Sequence, residues 1–257
     1  MHPLSSSKKL HHSIAGLAVL LTVMLTVLSS RRVHATEESE WAFLGFSLEG
    51  DYAAVESFGL HEDGGSAYSM IRIIDTKANR FASPPISTCV GQGCEASKNQ
   101  NPTTKEARTL NRLKAKESLV RFRIEPNLQG ERIRLSAKQR TTANQGAGGG
   151  GMAQETAQFR WRNVDWTLVL QETPAPSGTS GEHGTPRMID LRLQRSGAEA
   201  ILQRDASIPK SRGAGIYSYE LDTVITYGSS LFVVLRYARP GHQGPDVSQM
   251  FVTTVVQ

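Results

Sequence analysis

Past residue 35 the chain has three histidines, His61, His183 and His242, and two cysteines, Cys89 and Cys94. It has no Gly-x-Ser-x-Gly elbow, so a nucleophilic triad has no local signature. It has no His-Glu-x-x-His pair to fix two metal ligands on one helix. The glycine run at 146–151 is followed by no Gly-Lys-Ser/Thr and opens no helix, which removes the phosphate-cradling reading. Carboxylates are scattered, and none is singled out as half of an acid–base pair. Aromatic residues make up 7% of the chain. Trp41, Trp161, Trp166, Tyr217 and Tyr219 are the ones able to line a sugar or peptide cleft. Trp161 and Trp166 flank a turn, where cross-strand packing is their ordinary role.

Residues 1–35 contain no acid and carry Lys8, Lys9, Arg31 and Arg32. Within them Ile14–Leu28 is an unbroken run of apolar and small residues, followed by Val33-His34-Ala35. A basic start, a short apolar core and small or aliphatic residues before the cut form a secretory signal of the Sec type, with the mature chain beginning near Thr36. The alternative is an uncleaved anchor, but the run is shorter than the roughly 20 residues that span a bilayer. No membrane span is expected after cleavage, and the destination is the periplasm or the medium. Loss of this segment takes 29 basic and 24 acidic residues to 25 and 24, a net charge of +1 instead of +5. Nucleic acid is therefore not an expected partner, since phosphate binding needs a concentrated basic face.

The mature part, 36–257, is long enough for a single domain with a real core. Its organising stretch is FLGFSLEGDYAAVESFG followed by YSMIRIID, which reads as strand, tight turn, strand, irregular loop, strand. Gly50 supplies the positive φ of the turn. Two later regions repeat the plan. The middle strand pairs are YAAVESF with SMIRIID, WTLVLQE with MIDLRLQ, and LFVVLRY with MFVTTVV. The expected fold is mainly β, with antiparallel meanders in a propeller-like or sandwich arrangement. One amphipathic helix is inserted at about 104–117. Thr104 is its cap, Glu106 lies in its first turn, Ala107, Leu110 and Leu113 form its apolar stripe, and its many cations form its solvated face. Glu131–Thr141 alternates as an exposed or edge strand, and about 144–153 is a glycine-rich flexible connection.

Cys89 and Cys94 enclose Val-Gly-Gln-Gly. In an oxidising compartment this spacing favours a local disulfide over a redox pair.

FLGFSLEGDYAAVESFG with SMIRIIDTKANRF, the helix with its continuation LVRFRIEPNLQGERI, and LFVVLRYARPGHQGPD together resemble the bacterial family of domain of unknown function 2259, "predicted secreted protein". FSLEGDYAA is also similar to the blade signature of periplasmic propellers, with Leu48 and Glu49 where that signature has Pro and Asp. The family resemblance implies export and architecture and brings no catalytic residues.

His61, His183 and His242 each lie in the long loop of one repeated unit, in LHEDGG, GEHGTP and GHQGPD, with Glu62, Asp63, Glu182 and Asp246 close by. Stacked with equivalent loops at one end, the units would gather three imidazoles with carboxylate support, a recipe for zinc or copper. The competing reading is three solvated loop histidines with no cofactor. Two functions remain. One is a non-enzymatic module that uses its long Gly/Pro-rich loops to bind an envelope protein, peptide or glycan. The other is an exported metal-dependent enzyme or metal-binding protein built on the loop histidines.

Overall fold

A computed structural model describes residues 39–61, 65–94, 101–142, 151–176, 185–207, 215–241 and 244–256. The signal segment expected at 1–35 lies outside them, as does most of the expected glycine-rich connection.

Three antiparallel sheets carry the described fold. Sheet I comprises β1 (Glu40–Ser47), β2 (Tyr52–Leu60), β3 (Ser66–Asp75), β4 (Arg80–Phe81), β5 (Ile86–Gly91) and β6 (Ile124–Glu125). Helix α1 (Thr104–Arg121) lies between β5 and β6 in the chain. Sheet II comprises β8 (Ser136–Thr142), β9 (Ala153–Trp161), β10 (Val164–Pro174), β11 (Arg187–Arg195) and β12 (Ala198–Arg204). Sheet III comprises β13 (Ser218–Tyr227), β14 (Ser230–Pro240) and β15 (Pro245–Val255), joined at its edge by β7 (Glu131–Ile133). The three strand pairs expected from the repeated plan are all present, as β2 with β3, β10 with β11 and β14 with β15.

The sheets pack face to face, so of the two expected arrangements the sandwich is the one that fits. Sheet III is the middle layer. Ile225, Phe232 and Val234 meet Phe43, Phe46, Val55 and Ile74 of sheet I on one side. Val224, Leu231, Val233 and Leu235 meet Phe159, Leu168, Leu170 and Leu191 of sheet II on the other. A strand covered on both faces has no use for alternation, which is why Leu231–Leu235 is an uninterrupted apolar run with every residue buried. Trp161 and Trp166 pack across the Arg162-Asn163 turn, tilted by 44° with ring centroids 6.0 Å apart, inside the II–III core.

Two turns fix the strand ends. Gly50 adopts φ +78, and a Cβ there would stand 2.8 Å from Ser230 Oγ, so the β1–β2 turn needs glycine both for its conformation and for its contact with sheet III. Ser230 Oγ donates to Gly50 O at 2.8 Å and Tyr227 Oη to Leu48 O at 3.1 Å. The hairpin turns of sheets I and III thus touch at one end of the stack.

The helix departs from its expected form in four ways. Its cap is Thr103, whose hydroxyl accepts the Glu106 N–H, and it runs on to Arg121 because Leu119 and Phe122 pack against Ala54 and Ile73. Its buried stripe is Ala107, Asn111 and Ala115, while Leu113 stays 67% exposed. The sheet surface below offers polar groups at close range, so small residues and one amide fit there and leucine does not. Finally, two of its cations, Arg108 and Arg112, reach the buried Glu56 carboxylate with part of each side chain still in solvent.

The single edge strand expected at 131–141 is two strands. β7 closes the edge of sheet III and β8 the edge of sheet II, with Arg134 and Leu135 crossing between layers.

Candidate functional site

Cys89 and Cys94 form the expected disulfide, with Cα atoms 5.4 Å apart. It closes the end of β5 beside Gly91. His61 is exposed after β2. Its N–H donates to Ser66 O at 2.9 Å and its ring lies 5.0 Å from that of Tyr68. His183 and His242 lie outside the described residues, as do Glu62, Asp63 and Glu182. Among the described residues no group of three His, Cys, Asp or Glu is placed to hold a metal ion.

The strand ends that carry the three long loops are described, and they share one end of the stack. Ser39 N, which leads into β1 beside the end of β2, donates to Val247 O at 3.0 Å. Arg187 N at the start of β11 donates to Ile216 O at 2.7 Å, and Tyr217 N donates to Ala238 O at 3.0 Å. The hairpin turns of sheets I and III occupy the opposite end.

Two buried polar clusters hold layers together. Under α1, the Glu56 carboxylate is wholly buried on the outer face of sheet I. Its Oε1 accepts from Ser69 Oγ at 2.9 Å, and its Oε2 from Arg108 Nε at 3.2 Å and from Arg112 Nε and Nη2 at 3.0 and 2.6 Å. Asn111 extends the network, donating to Ser69 Oγ and Ile86 O at 3.0 Å and accepting from Thr88 Oγ1 at 3.1 Å. Arg108 also lies over the Phe58 ring at 3.7 Å. This is a fully paired cluster and therefore a fastening for the helix.

The second cluster replaces a missing strand. β7 pairs only with Thr226 to Val224 of β13 and leaves the start of that strand open. Side chains from sheet II serve it instead. Glu155 Oε2 accepts the Leu221 N–H at 3.1 Å, Glu172 Oε2 accepts the Tyr219 N–H at 3.2 Å, and Arg140 Nη1 donates to Tyr219 O at 2.7 Å. Arg140 Nη2 reaches Glu172 Oε1 at 2.5 Å. Burial pushes both carboxyls above the ordinary glutamate range, against the opposing pull of Arg140 and the two backbone N–H groups.

The remaining feature is a cleft of about 560 Å³ where the open sides of the three sheets converge. Sheet I contributes Met70, Arg72, Ile74 and Phe81, sheet II contributes Gln203 from its edge strand β12, and sheet III contributes Gln249, Met250 and Phe251 from its edge strand β15. At one end Asn79, in the turn after β3, joins all three sheets. Its Nδ2 donates to Leu202 O and Gln203 Oε1 at 3.2 Å, and its Oδ1 accepts the Thr253 N–H at 2.9 Å.

Arg72 distinguishes this cleft. It sits on β3 between two apolar residues that share its face, Met70 and Ile74. Its Nη1 donates to Ser57 Oγ at 3.0 Å, and among the described residues no carboxylate pairs with it. Burial holds its pKa below the ordinary arginine value, opposed by Tyr237 and Tyr68. Gln249, 9% exposed, donates through Nε2 to Ser39 O, and its Oε1 has no partner among the described residues. A partly desolvated cation and an unmet amide oxygen between apolar walls are what an anionic ligand with an apolar body requires. No motif in the sequence marks Arg72. The available signal was its position, an arginine on the inward-facing alternation of SMIRIID.

A family model described as "Predicted secreted protein (DUF2259)" matches residues 54–254, from within β2 to the end of β15. The chain belongs to that family. The DUF2259 match takes in sheets II and III, the helix, the cleft and sheet I apart from β1, in agreement with the resemblance carried by the sequence. No described helix is long and apolar enough to cross a membrane. No curated protein and no solved structure matches the chain.

Proposed function

We propose that this DUF2259 chain is an exported, non-enzymatic binding module of the cell envelope that receives an anionic ligand with an apolar body in the cleft beside β15. The observation that carries this reading is Arg72, a cation held between sheet layers with no carboxylate paired to it among the described residues. Its surroundings support binding more than chemistry, because no nucleophile with an adjacent base lines the cleft. The basic start, apolar run and Val33-His34-Ala35 support export with cleavage near Ala35, and the family description points the same way. The shared end of the three long loops supports a second contact surface there, for an envelope protein, peptide or glycan.

A suitable probe is 8-anilinonaphthalene-1-sulfonate, an aromatic sulfonate, titrated into the mature chain 36–257. One saturable site is expected, with amide shifts in nuclear magnetic resonance spectra confined to β3 and β15, and Arg72→Met removes it while the fold persists. Binding indifferent to Arg72→Met overturns the cleft as the receiving surface. Mass analysis of the exported product checks the start at Thr36.

A further inference from the structure

The floor of the cleft is the free edge of β15, and its hydrogen-bonding groups can be assigned by parity. Val256 N donates to Ser229 O, which turns the even-numbered residues of β15 toward β14. The odd-numbered residues, Val247, Gln249, Phe251 and Thr253, then present their N–H and C=O groups outward. Two contacts agree with this. Val247 O is met by Ser39 N at 3.0 Å, and Thr253 N is met by Asn79 Oδ1 at 2.9 Å. Between these two stoppers, the N–H and C=O groups of Gln249 and Phe251 have no partner among the described residues. The chain has closed its own edge strand at both ends and left the middle open inside a cleft.

We propose that this open stretch of β15 takes the carboxy-terminal residues of a peptide as an added strand, with the terminal carboxylate meeting Arg72. The proposal deepens the binding reading above and rests on it. Pairing to Gln249 and Phe251 uses about three residues of an extended chain, one paired residue for each and one between. A strand running through in both directions would have to displace Ser39 at one end and Asn79 at the other, whereas a chain end has to leave on one side only. Arg72 supplies the charge complement that a chain end brings. Gln249 Oε1 offers an acceptor to a peptide donor, and Met70, Ile74, Phe81 and Phe251 give apolar walls to its side chains.

The test uses the mature chain with three forms of one acetylated peptide, Thr-Val-Val-Leu. One form has a free carboxylate, one a terminal amide, and one has N-methyl groups on alternate residues. Calorimetry is expected to give roughly tenfold tighter binding of the free acid than of the amide, the size of one charge-assisted hydrogen bond. N-methylation abolishes binding by removing strand donors. Arg72→Met makes acid and amide equal, and Arg72→Lys keeps the preference. On binding, the Gln249 and Phe251 amides gain protection from hydrogen exchange. Equal affinity for acid and amide in the wild type, or unaltered binding after N-methylation, overturns the proposal. No peptide binding while anilinonaphthalene sulfonate still binds through Arg72 overturns the added strand and leaves the anion cleft. Failure of both removes the cleft reading as well.

Discussion

The Asn79 carboxamide oxygen accepts the Thr253 backbone N–H at 2.9 Å, across 174 residues of chain. The same side chain donates to Leu202 O and Gln203 Oε1, so one residue in a turn of sheet I ties sheets II and III. Asn79→Ala leaves the Thr253 N–H without its partner in a partly buried position. It is expected to cost about 2 kcal/mol, or about 4–8 °C in Tm for a domain of this size. Asn79→Asp keeps the acceptor and loses the donors, so it should fall in between. Thermal unfolding followed by circular dichroism reads both, and an unchanged Tm for the alanine variant refutes the bridging role.

Glu56 makes a sharper case because its carboxylate has no route to water. Removing both partners with Arg108→Ala and Arg112→Ala strands a buried charge, at an expected cost of about 3–5 kcal/mol. Adding Glu56→Met to that pair should recover part of the loss, since an apolar group then meets the helix. Glu56→Met alone leaves two partly exposed arginines free to turn outward and should cost less than the double arginine variant. Chemical denaturation of the four proteins decides it. If the triple variant is no more stable than the double, the loss does not come from the buried charge.

The pair Glu155 and Glu172 predicts a pH dependence. Burial raises both carboxyls above 4.5, the value of the unperturbed group. Between 4.5 and the raised values the folded chain holds more protons than the unfolded one, so stability rises as pH falls through that window and is lost as pH rises through it. The Glu155→Gln, Glu172→Gln double variant should lose this increment and gain stability relative to wild type at neutral pH. Unfolding curves at several pH values measure it, and parallel profiles for the two proteins would contradict the assignment.

Gly45 carries a backbone constraint. It adopts φ +136 at the bulge in β1, and a Cβ there would run into the carbonyl of Glu125 on β6. Gly45→Ala combines a disfavoured conformation with a backbone clash and should cost about 2 kcal/mol or more. Because β6 follows α1, hydrogen exchange should rise first in β6 and the helix C-terminus. Uniform loss of protection across all three sheets would argue against so local an effect.

The sequence made the strand pairs legible because alternation and turn residues are local properties. WTLVLQE against MIDLRLQ, and Gly50 in its turn, needed no knowledge of the rest of the chain. The helix existed where expected, but its face was misassigned. Leu110 and Leu113 look like an apolar stripe only while the surface beneath is unknown, and that surface is Glu56, Ser69 and Thr88. The break at Arg134 and Leu135 was hidden because edge strands of two different sheets give the same exposed alternation. The cleft depends on which sheet edges meet, which no periodicity encodes, and Arg72 is marked in the sequence only by standing between Met70 and Ile74 on one face of its strand.

The layer order has a temporal consequence. Three of the four strands of the middle sheet are encoded last, so sheets I and II leave the ribosome with their greasy inner faces lacking a counterpart. Maturation has to wait for β13–β15 to arrive and be threaded between them. A chain cut short before Ser218 would therefore be two sticky halves seeking any neighbour, and is expected to aggregate.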